Sequence, residues 1–138
     1  MERKINWPMI RIAILSLFLI FSCDYLSPTD INFISDSDLI EMQEIDYILL
    51  DVRTPDEFSS GYIKKAKNLD FYSETFQNDI LSIDKKSPIV LYCRTNNRST
   101  KTANILKENG FKEISVLEGG INYWVKNGND INYTTYSK

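Results

Sequence analysis

Short apolar runs alternate with segments of helical periodicity through residues 31–128. Most of the runs are continuous, which is typical of strands covered on both faces. They predict five strands, at residues 31–34, 47–52, 66–69, 88–92 and 114–117. The segments between them predict helices at residues 35–43, 73–81 and 99–109, a short helix that starts at residues 54–58 and is ended by Gly61, and a last helix that follows Gly119-Gly120 and is ended by Gly128. Strands separated by helices imply an α/β fold of three layers, α/β/α, with a parallel sheet between two layers of helices.

Residues at the ends of the helical segments support these assignments. Thr54 is suited to cap a helix, Pro55 to occupy its first position, and Glu57 to complete a capping box. Gly61 and Gly110 each follow a helical pattern, at the position where a left-handed residue ends a helix. Residues 129–138 are polar and rich in Asn, Thr and Tyr, so they predict a loose tail after a domain at residues 31–128.

The first 30 residues have a different pattern. Arg3 and Lys4 precede an apolar run at residues 12–21, about half the length that a membrane-spanning helix needs. The pattern predicts a signal peptide at residues 1–22. Because Ser22-Cys23 resembles a lipoprotein processing site, we expect Cys23 to be lipidated and residues 23–30 to link the domain to a membrane of the cell envelope, facing the periplasm or the exterior. An uncleaved anchor and a buried helix are the alternatives.

The composition excludes several kinds of chemistry. The chain of 138 residues has a formal charge of −3, which gives no reason to expect a nucleic-acid partner. It contains no histidine, the usual general base and metal ligand, and its two cysteines are seventy residues apart, which is not a zinc pattern. We therefore predict neither a metal nor a cofactor.

The predicted strand at residues 88–92 leads directly into Cys93, a polar loop and a helical pattern from Ser99. Consecutive residues between a strand and a helix can direct several backbone N–H groups at one point, and the start of the helix adds its positive end. Arg94 and Arg98 add two full charges. All of these favour the thiolate of Cys93, which is therefore predicted to be a nucleophile that needs no base. The residues predicted to surround a substrate are Arg94, Thr95, Asn96, Asn97, Arg98 and Ser99.

Simpler roles are open for the same residues. Free cysteines commonly end core strands as inert side chains. Exported proteins often pair their cysteines, so a Cys23–Cys93 disulfide is an alternative. Arg98 is equally suited to a structural ion pair with Glu57 or Asp51, and such a pair is compatible with a role at the site.

A thiolate surrounded by cationic groups suits a small anionic sulfur donor such as thiosulfate. Attack on the outer sulfur releases sulfite and leaves a persulfide on Cys93, whose charge the loop amides would stabilise. A thiol or another thiophilic acceptor then takes the sulfur in a second step.

Residues 33–126 resemble a single-domain rhodanese, a sulfurtransferase module. The likeness lies in four stretches, which are LDVRTPDEF at 50–58, GYI with AKNL at 61–69, VLYCR with RS at 90–99, and GF with LEGG and W at 110–124. The resemblance implies a five-stranded parallel sheet, Cys93 as the persulfide-forming nucleophile, and residues 94–98 as the loop around the donor. We place Asp51, Arg53 and Glu57 as supporting residues of the site.

Three positions depart from the pattern of the resembled family. Asn96 stands where the family usually has glycine, and because asparagine is the residue after glycine that best tolerates positive φ, we expect the loop to keep its turn there. Tyr62 replaces a common histidine that helps to shape the domain. Thr95 conservatively replaces a common serine.

Other functions compete with sulfur transfer. Phosphatases of related fold use Cys-x5-Arg, whereas the spacing from Cys93 to Arg98 is Cys-x4-Arg, a loop too tight for a tetrahedral phosphate. A non-catalytic binding module is a stronger alternative, although such modules often lack the cysteine. A persulfide or redox sensor at the cell envelope is a third, and it would form the persulfide but turn over poorly.

Overall fold

One sheet of five parallel strands, in the order β1-β5-β4-β2-β3, forms the centre of the domain. The computed structural model describes residues 31–42 and 46–134. Its strands are β1 (Asn32–Ile34), β2 (Ile48–Asp51), β3 (Lys67–Asn68), β4 (Ile89–Tyr92) and β5 (Ile114–Leu117). Each strand lies within a predicted run, so the five-stranded parallel sheet is confirmed. The predictions of a signal peptide and of lipidation at Cys23 lie outside the described residues.

Helices cover both faces of this sheet, as the sequence predicts. They are α1 (Asp36–Glu41), α2 (Pro55–Ser59), α3 (Phe76–Leu81), α4 (Asn97–Glu108) and α5 (Gly120–Lys126). The helices α3 and α4 pack on one face of the sheet, and α1 and α5 pack on the other. The side chains that make these contacts are Phe76, Ile80, Ala103 and Leu106 on the first face and Leu39, Ile121 and Trp124 on the second.

The central strand β4 divides its side chains between the two cores. All four of its residues are buried. Leu91 and the following Cys93 belong to the core under α3 and α4, whereas Val90 and Tyr92 belong to the core under α1 and α5. This division follows from the alternation of side chains along a strand. Because Cys93 directly follows the last residue of β4, it lies at the carboxyl edge of the sheet, where ligands of parallel α/β folds bind.

The starts of two helices show how local sequence determines the fold. Ser35 caps α1 in a capping box with Asp38, and Thr54 caps α2 in a capping box with Glu57, as predicted for the second.

The helix α4 begins at Asn97, two residues before the predicted start, so only residues 94–96 form the loop after Cys93. The first turn of α4 therefore belongs to the predicted site.

Residues 129–132 are held against the domain, and the prediction of a loose tail is wrong for them. Asn132 pairs with Tyr62 in an antiparallel bridge, and the indole N–H of Trp124 donates to the carbonyl of Asp130 at 2.8 Å. Ile131 packs against the core that contains Trp124. The side chain of Ile131 and the backbone pairing of Asn132 hold a segment that its polar composition predicts to be loose. Of the helices in the described part of the chain, none has the length and apolar character needed to traverse a bilayer.

Candidate active site

Cys93 is one of the residues that line an open pocket of about 410 Å³. The residue is a free thiol and only 1% exposed, and its Sγ is 3.5 Å from the hydroxyl oxygen of Ser99. The cysteine therefore contacts both the apolar core and the pocket. Seven further residues line the pocket, which are Thr54, Glu57, Tyr72, Arg94, Thr95, Asn97 and Arg98. The prediction from sequence identified five of these seven and missed Thr54 and Tyr72.

The loop after Cys93 and the first turn of α4 present unbonded backbone N–H groups. Within the described residues, the N–H groups of residues 94–99 have no hydrogen-bond acceptor. The carbonyl groups are bonded instead: Cys93 O accepts from Ile121 N at 3.0 Å, and Arg94 O accepts from Asn122 N at 3.2 Å. These carbonyls are bonded to α5, whereas the successive N–H groups remain available to an anion. This is the arrangement of a backbone nest.

The turn of the loop at Asn96 differs from the expectation. Its φ is −130°, so Asn96 does not adopt the left-handed conformation that a glycine at this position suggests. The side-chain oxygen instead accepts a hydrogen bond from Gly119 N at 2.6 Å. This contact joins residues that are 23 apart in sequence, so no local pattern could predict it. Asn96 supports the loop through its amide oxygen rather than through its backbone.

Gly120, the first residue of α5, allows this helix to lie directly against the loop after Cys93. Its φ is +57°, and a Cβ there would lie 2.3 Å from the carbonyl oxygen of Thr95 and 2.4 Å from that of Cys93. No side chain fits at these distances. Gly120 therefore allows the start of α5 to support the loop of the site.

Arg98 and Glu57 form a bidentate ion pair at the wall of the pocket. Arg98 Nη1 and Nη2 donate to the two oxygens of Glu57 at 2.6 and 2.8 Å. The same carboxylate accepts from the backbone N–H of Thr54 at 3.0 Å, through the capping box of α2. Hydrogen bonds from Arg98 lower the pKa of Glu57 to about 2, and the pair raises the pKa of Arg98. Of the two partners considered for Arg98, Glu57 is the one found.

Asp51 and Arg53 form a second pair, on the opposite face of the sheet from Cys93. Arg53 Nε donates to both oxygens of Asp51 at 2.9 Å, and Arg53 Nη2 donates to Gly61 O at 2.7 Å. The Arg53 guanidinium lies 5.8 Å from the ring centre of Tyr92, whose pKa is raised by burial. The structure does not bring Asp51 and Arg53 into the pocket. They join the end of β2 to the segment after α2.

The residues that the sequence missed carry weak local signals. Thr54 was identified only as a helix cap, and its place in the pocket follows from the position of α2 beside α4. Tyr72 lies in the connection between β3 and α3, and its ring centre is 5.7 Å from the Arg98 guanidinium. In residues 31–42 and 46–134, no three cysteine or carboxylate side chains are grouped as metal ligands would be.

Comparisons with known proteins agree with this architecture. Residues 35–127 match the family model described as the Rhodanese-like domain. The uncharacterized protein YqhL of Bacillus subtilis is 38% identical over 76 residues, which cover 55% of this chain and 59% of that protein. The thiosulfate sulfurtransferase GlpE of Stutzerimonas stutzeri is 28% identical over 96 residues, covering 70% of this chain and 86% of the relative.

A solved structure gives the same result for the fold. The crystal structure of a rhodanese-related protein from Thermoplasma volcanium superposes with a TM-score of 0.66 at 26% identity. The match covers 75% of this chain and 99% of the other. With the family model spanning most of the domain, the chain belongs to the rhodanese-like domain family, which includes sulfurtransferases.

Proposed function

We propose that this protein is a sulfurtransferase of the rhodanese type, with Cys93 as the nucleophile. The observation that carries the proposal is the position of Cys93 in the lining of a pocket where the loop and the first turn of α4 leave six consecutive backbone N–H groups without acceptors in the described chain. Similarity to proteins named as sulfurtransferases supports it. The donor is thiosulfate or a similar sulfane-sulfur compound, and the acceptor is a thiol or another thiophile.

The reaction proceeds in two balanced steps. In the first, the Cys93 thiolate attacks the outer sulfur of thiosulfate, the S–S bond of the donor breaks, and its electron pair leaves on sulfite. A persulfide anion remains on Cys93, and the unbonded N–H groups of residues 94–99 stabilise its charge. In the second step, the thiophilic acceptor attacks the outer sulfur of the persulfide, and the Cys93 thiolate is regenerated.

The alternative is a non-catalytic binding module or a persulfide sensor. The burial of Cys93, which leaves only 1% of the residue exposed, favours it because a large acceptor cannot reach the sulfur directly. A sensor would accept sulfur but return it slowly. A binding module would not accept it at all.

A sulfurtransferase assay with thiosulfate and cyanide separates these functions. We expect turnover by the wild-type protein and loss of turnover in Cys93→Ser, which keeps the size of the side chain and its contact with Ser99. Absence of turnover in the wild type, with a persulfide still formed, would favour the sensor. Absence of both would leave the binding module.

We also propose that the domain is anchored in the cell envelope through lipid on Cys23. In support, β1 starts at Asn32 on the amino edge of the parallel sheet, whereas Cys93 follows β4 on the carboxyl edge. A linker that joins the membrane to β1 would therefore leave the pocket on the edge of the sheet that faces away from the membrane. Processing that is sensitive to globomycin would support lipidation, and insensitive processing would exclude it.

A further inference from the structure

The sulfur of Cys93 has one hydrogen-bond partner in the part of the chain that the structure describes. This partner is the hydroxyl group of Ser99, whose oxygen lies 3.5 Å from Cys93 Sγ. Both residues are buried, and Ser99 is 0% exposed. The first turn of α4, which presents unbonded N–H groups at the pocket, therefore also places a hydroxyl group directly against the sulfur.

The hydroxyl group of Ser99 can donate in either of two directions. It donates to the carbonyl of Asn96 at 3.1 Å, and a rotation about its C–O bond would turn it towards Cys93 Sγ. The Asn96 carbonyl also accepts from Thr100 N at 2.9 Å. Because this second bond remains when the hydroxyl turns, the rotation leaves no buried carbonyl without a partner.

We propose that the Ser99 hydroxyl is a catalytic hydrogen-bond donor, which stabilises the Cys93 thiolate as the leaving group when sulfur passes to the acceptor. The inference rests on the proposed function and assigns a role in its second step. When Cys93 is a thiol, its S–H donates to Ser99 Oγ, and the hydroxyl donates to Asn96. When Cys93 is a thiolate, the hydroxyl turns and donates to Sγ. This role differs from the contact with substrate that the sequence predicts for Ser99.

The negative charge moves from one sulfur atom to another during the second step. In the persulfide, Cys93 Sγ is bonded to the transferred sulfur, and the charge lies on that outer atom. When the acceptor attacks the outer sulfur, the S–S bond breaks and its electron pair moves to Sγ, beside the Ser99 hydroxyl. A hydrogen bond to an ionised acceptor is stronger than one to a neutral acceptor. The contact therefore strengthens as the thiolate leaves, which lowers the barrier of this step.

The same hydrogen bond has opposing effects on the first step. It favours the ionised form of Cys93, but it also makes the thiolate a weaker nucleophile towards the donor. The two effects largely cancel in the rate of attack. We therefore expect Ser99→Ala to slow transfer to the acceptor about fivefold and to change the rate of attack on the donor by less than about twofold.

Single-turnover measurements separate the two steps. Release of sulfite after mixing with thiosulfate gives the donor rate, and formation of thiocyanate from persulfide-loaded protein mixed with cyanide gives the acceptor rate. The matched control is Thr102→Val, which removes another buried hydroxyl of α4. That hydroxyl donates to Arg98 O at 2.9 Å and has no hydrogen bond to Cys93. The control should keep both rates close to those of the wild type.

The ratio of the two rates is the decisive quantity. Both rates come from the same preparation, so a loss of folded Ser99→Ala protein would reduce the amplitudes and leave the ratio unchanged. A fall of about fivefold in the ratio of acceptor rate to donor rate, in Ser99→Ala alone, supports the inference. Equal slowing of both steps, an unchanged ratio, or the same fall in Thr102→Val would overturn it while the sulfurtransferase function stands. If the wild-type protein forms no persulfide with thiosulfate, the proposed function and this role fail together.

Discussion

Two arginine–carboxylate pairs lie near the carboxyl edge of the same sheet, and they differ in almost every respect that matters for function. Asp51 and Arg53 are 0% and 5% exposed and lie on the face covered by α1 and α5. Arg98 and Glu57 are 13% and 30% exposed and lie at the pocket above Cys93. The first arginine–carboxylate pair is therefore enclosed by the protein, whereas the second is reachable by solvent.

The difference separates a pair whose charges are enclosed by the fold from a pair that a ligand can reach. The buried Arg53 also donates to Gly61 O, and its partner Asp51 accepts from Arg53 N at 2.9 Å, so these charges are satisfied within the fold. The Arg98–Glu57 pair keeps N–H donors and carboxylate charge at a surface that a ligand can reach. The first pair is therefore placed to stabilise the fold, and the second lies where the proposed donor would bind.

The largest effect on stability is expected when the buried pair is broken. Arg53→Ala leaves Asp51 as an uncompensated buried charge, and we expect it to lower the free energy of unfolding by about 3–5 kcal/mol. Urea denaturation measures this directly. A loss below about 1 kcal/mol, the size typical of a surface pair, would show that the two pairs are not as different as their burial suggests.

The next prediction concerns the loop after Cys93, which one substitution can displace without changing any charge. Gly120→Ala places a Cβ within 2.4 Å of two loop carbonyl oxygens, so the loop must move. Because sub-ångström placement of reacting groups controls turnover, we expect roughly 100-fold lower sulfur transfer.

The control for this substitution is Gly128→Ala. Gly128 also has positive φ, at +84°, but a Cβ added to it would meet no other atom within 4 Å. Both substitutions carry the same kind of backbone strain, and only Gly120→Ala meets the loop. Equal losses of activity in the two variants would attribute the effect to strain rather than to loop position.

The smallest effect is the pH dependence of the exposed pair. The pKa of Glu57 falls from its ordinary value of 4.5 to about 2 on folding, so its contribution is complete above pH 4.5 and is lost as the pH falls towards 2. Solvent screening limits the contribution to about 1 kcal/mol. The difference in unfolding free energy between wild type and Glu57→Gln should therefore shrink from pH 6 to pH 2. A difference that stays constant over this range would contradict the assignment.

Much of this arrangement is readable from local sequence, because it depends on local patterns. Continuous apolar runs indicate strands buried on both faces, and the Thr54 capping box fixes α2. The strand that ends at Tyr92 places Cys93 at the ligand-binding edge. These features need only residues that are close together in the chain.

The remainder depends on long-range contacts that sequence spacing does not encode. The register that pairs Asp51 with Tyr92 puts Asp51 on the face away from Cys93. Tyr72 lies beside the Arg98 guanidinium, which is 26 residues away in the chain. Asn96 has a negative φ, and its side chain accepts a hydrogen bond from Gly119 N, which follows β5. Each of these depends on tertiary packing.

The most direct test of sulfur transfer is the mass of the intact protein after brief exposure to thiosulfate, followed by peptide mapping. We expect that the wild type gains the mass of one sulfur atom, located on Cys93, that sulfite is released in equal amount, and that cyanide removes the gain. Cys93→Ser should gain nothing. A wild-type protein that keeps its original mass, or a sulfur atom found on a different residue, would contradict sulfur transfer through Cys93.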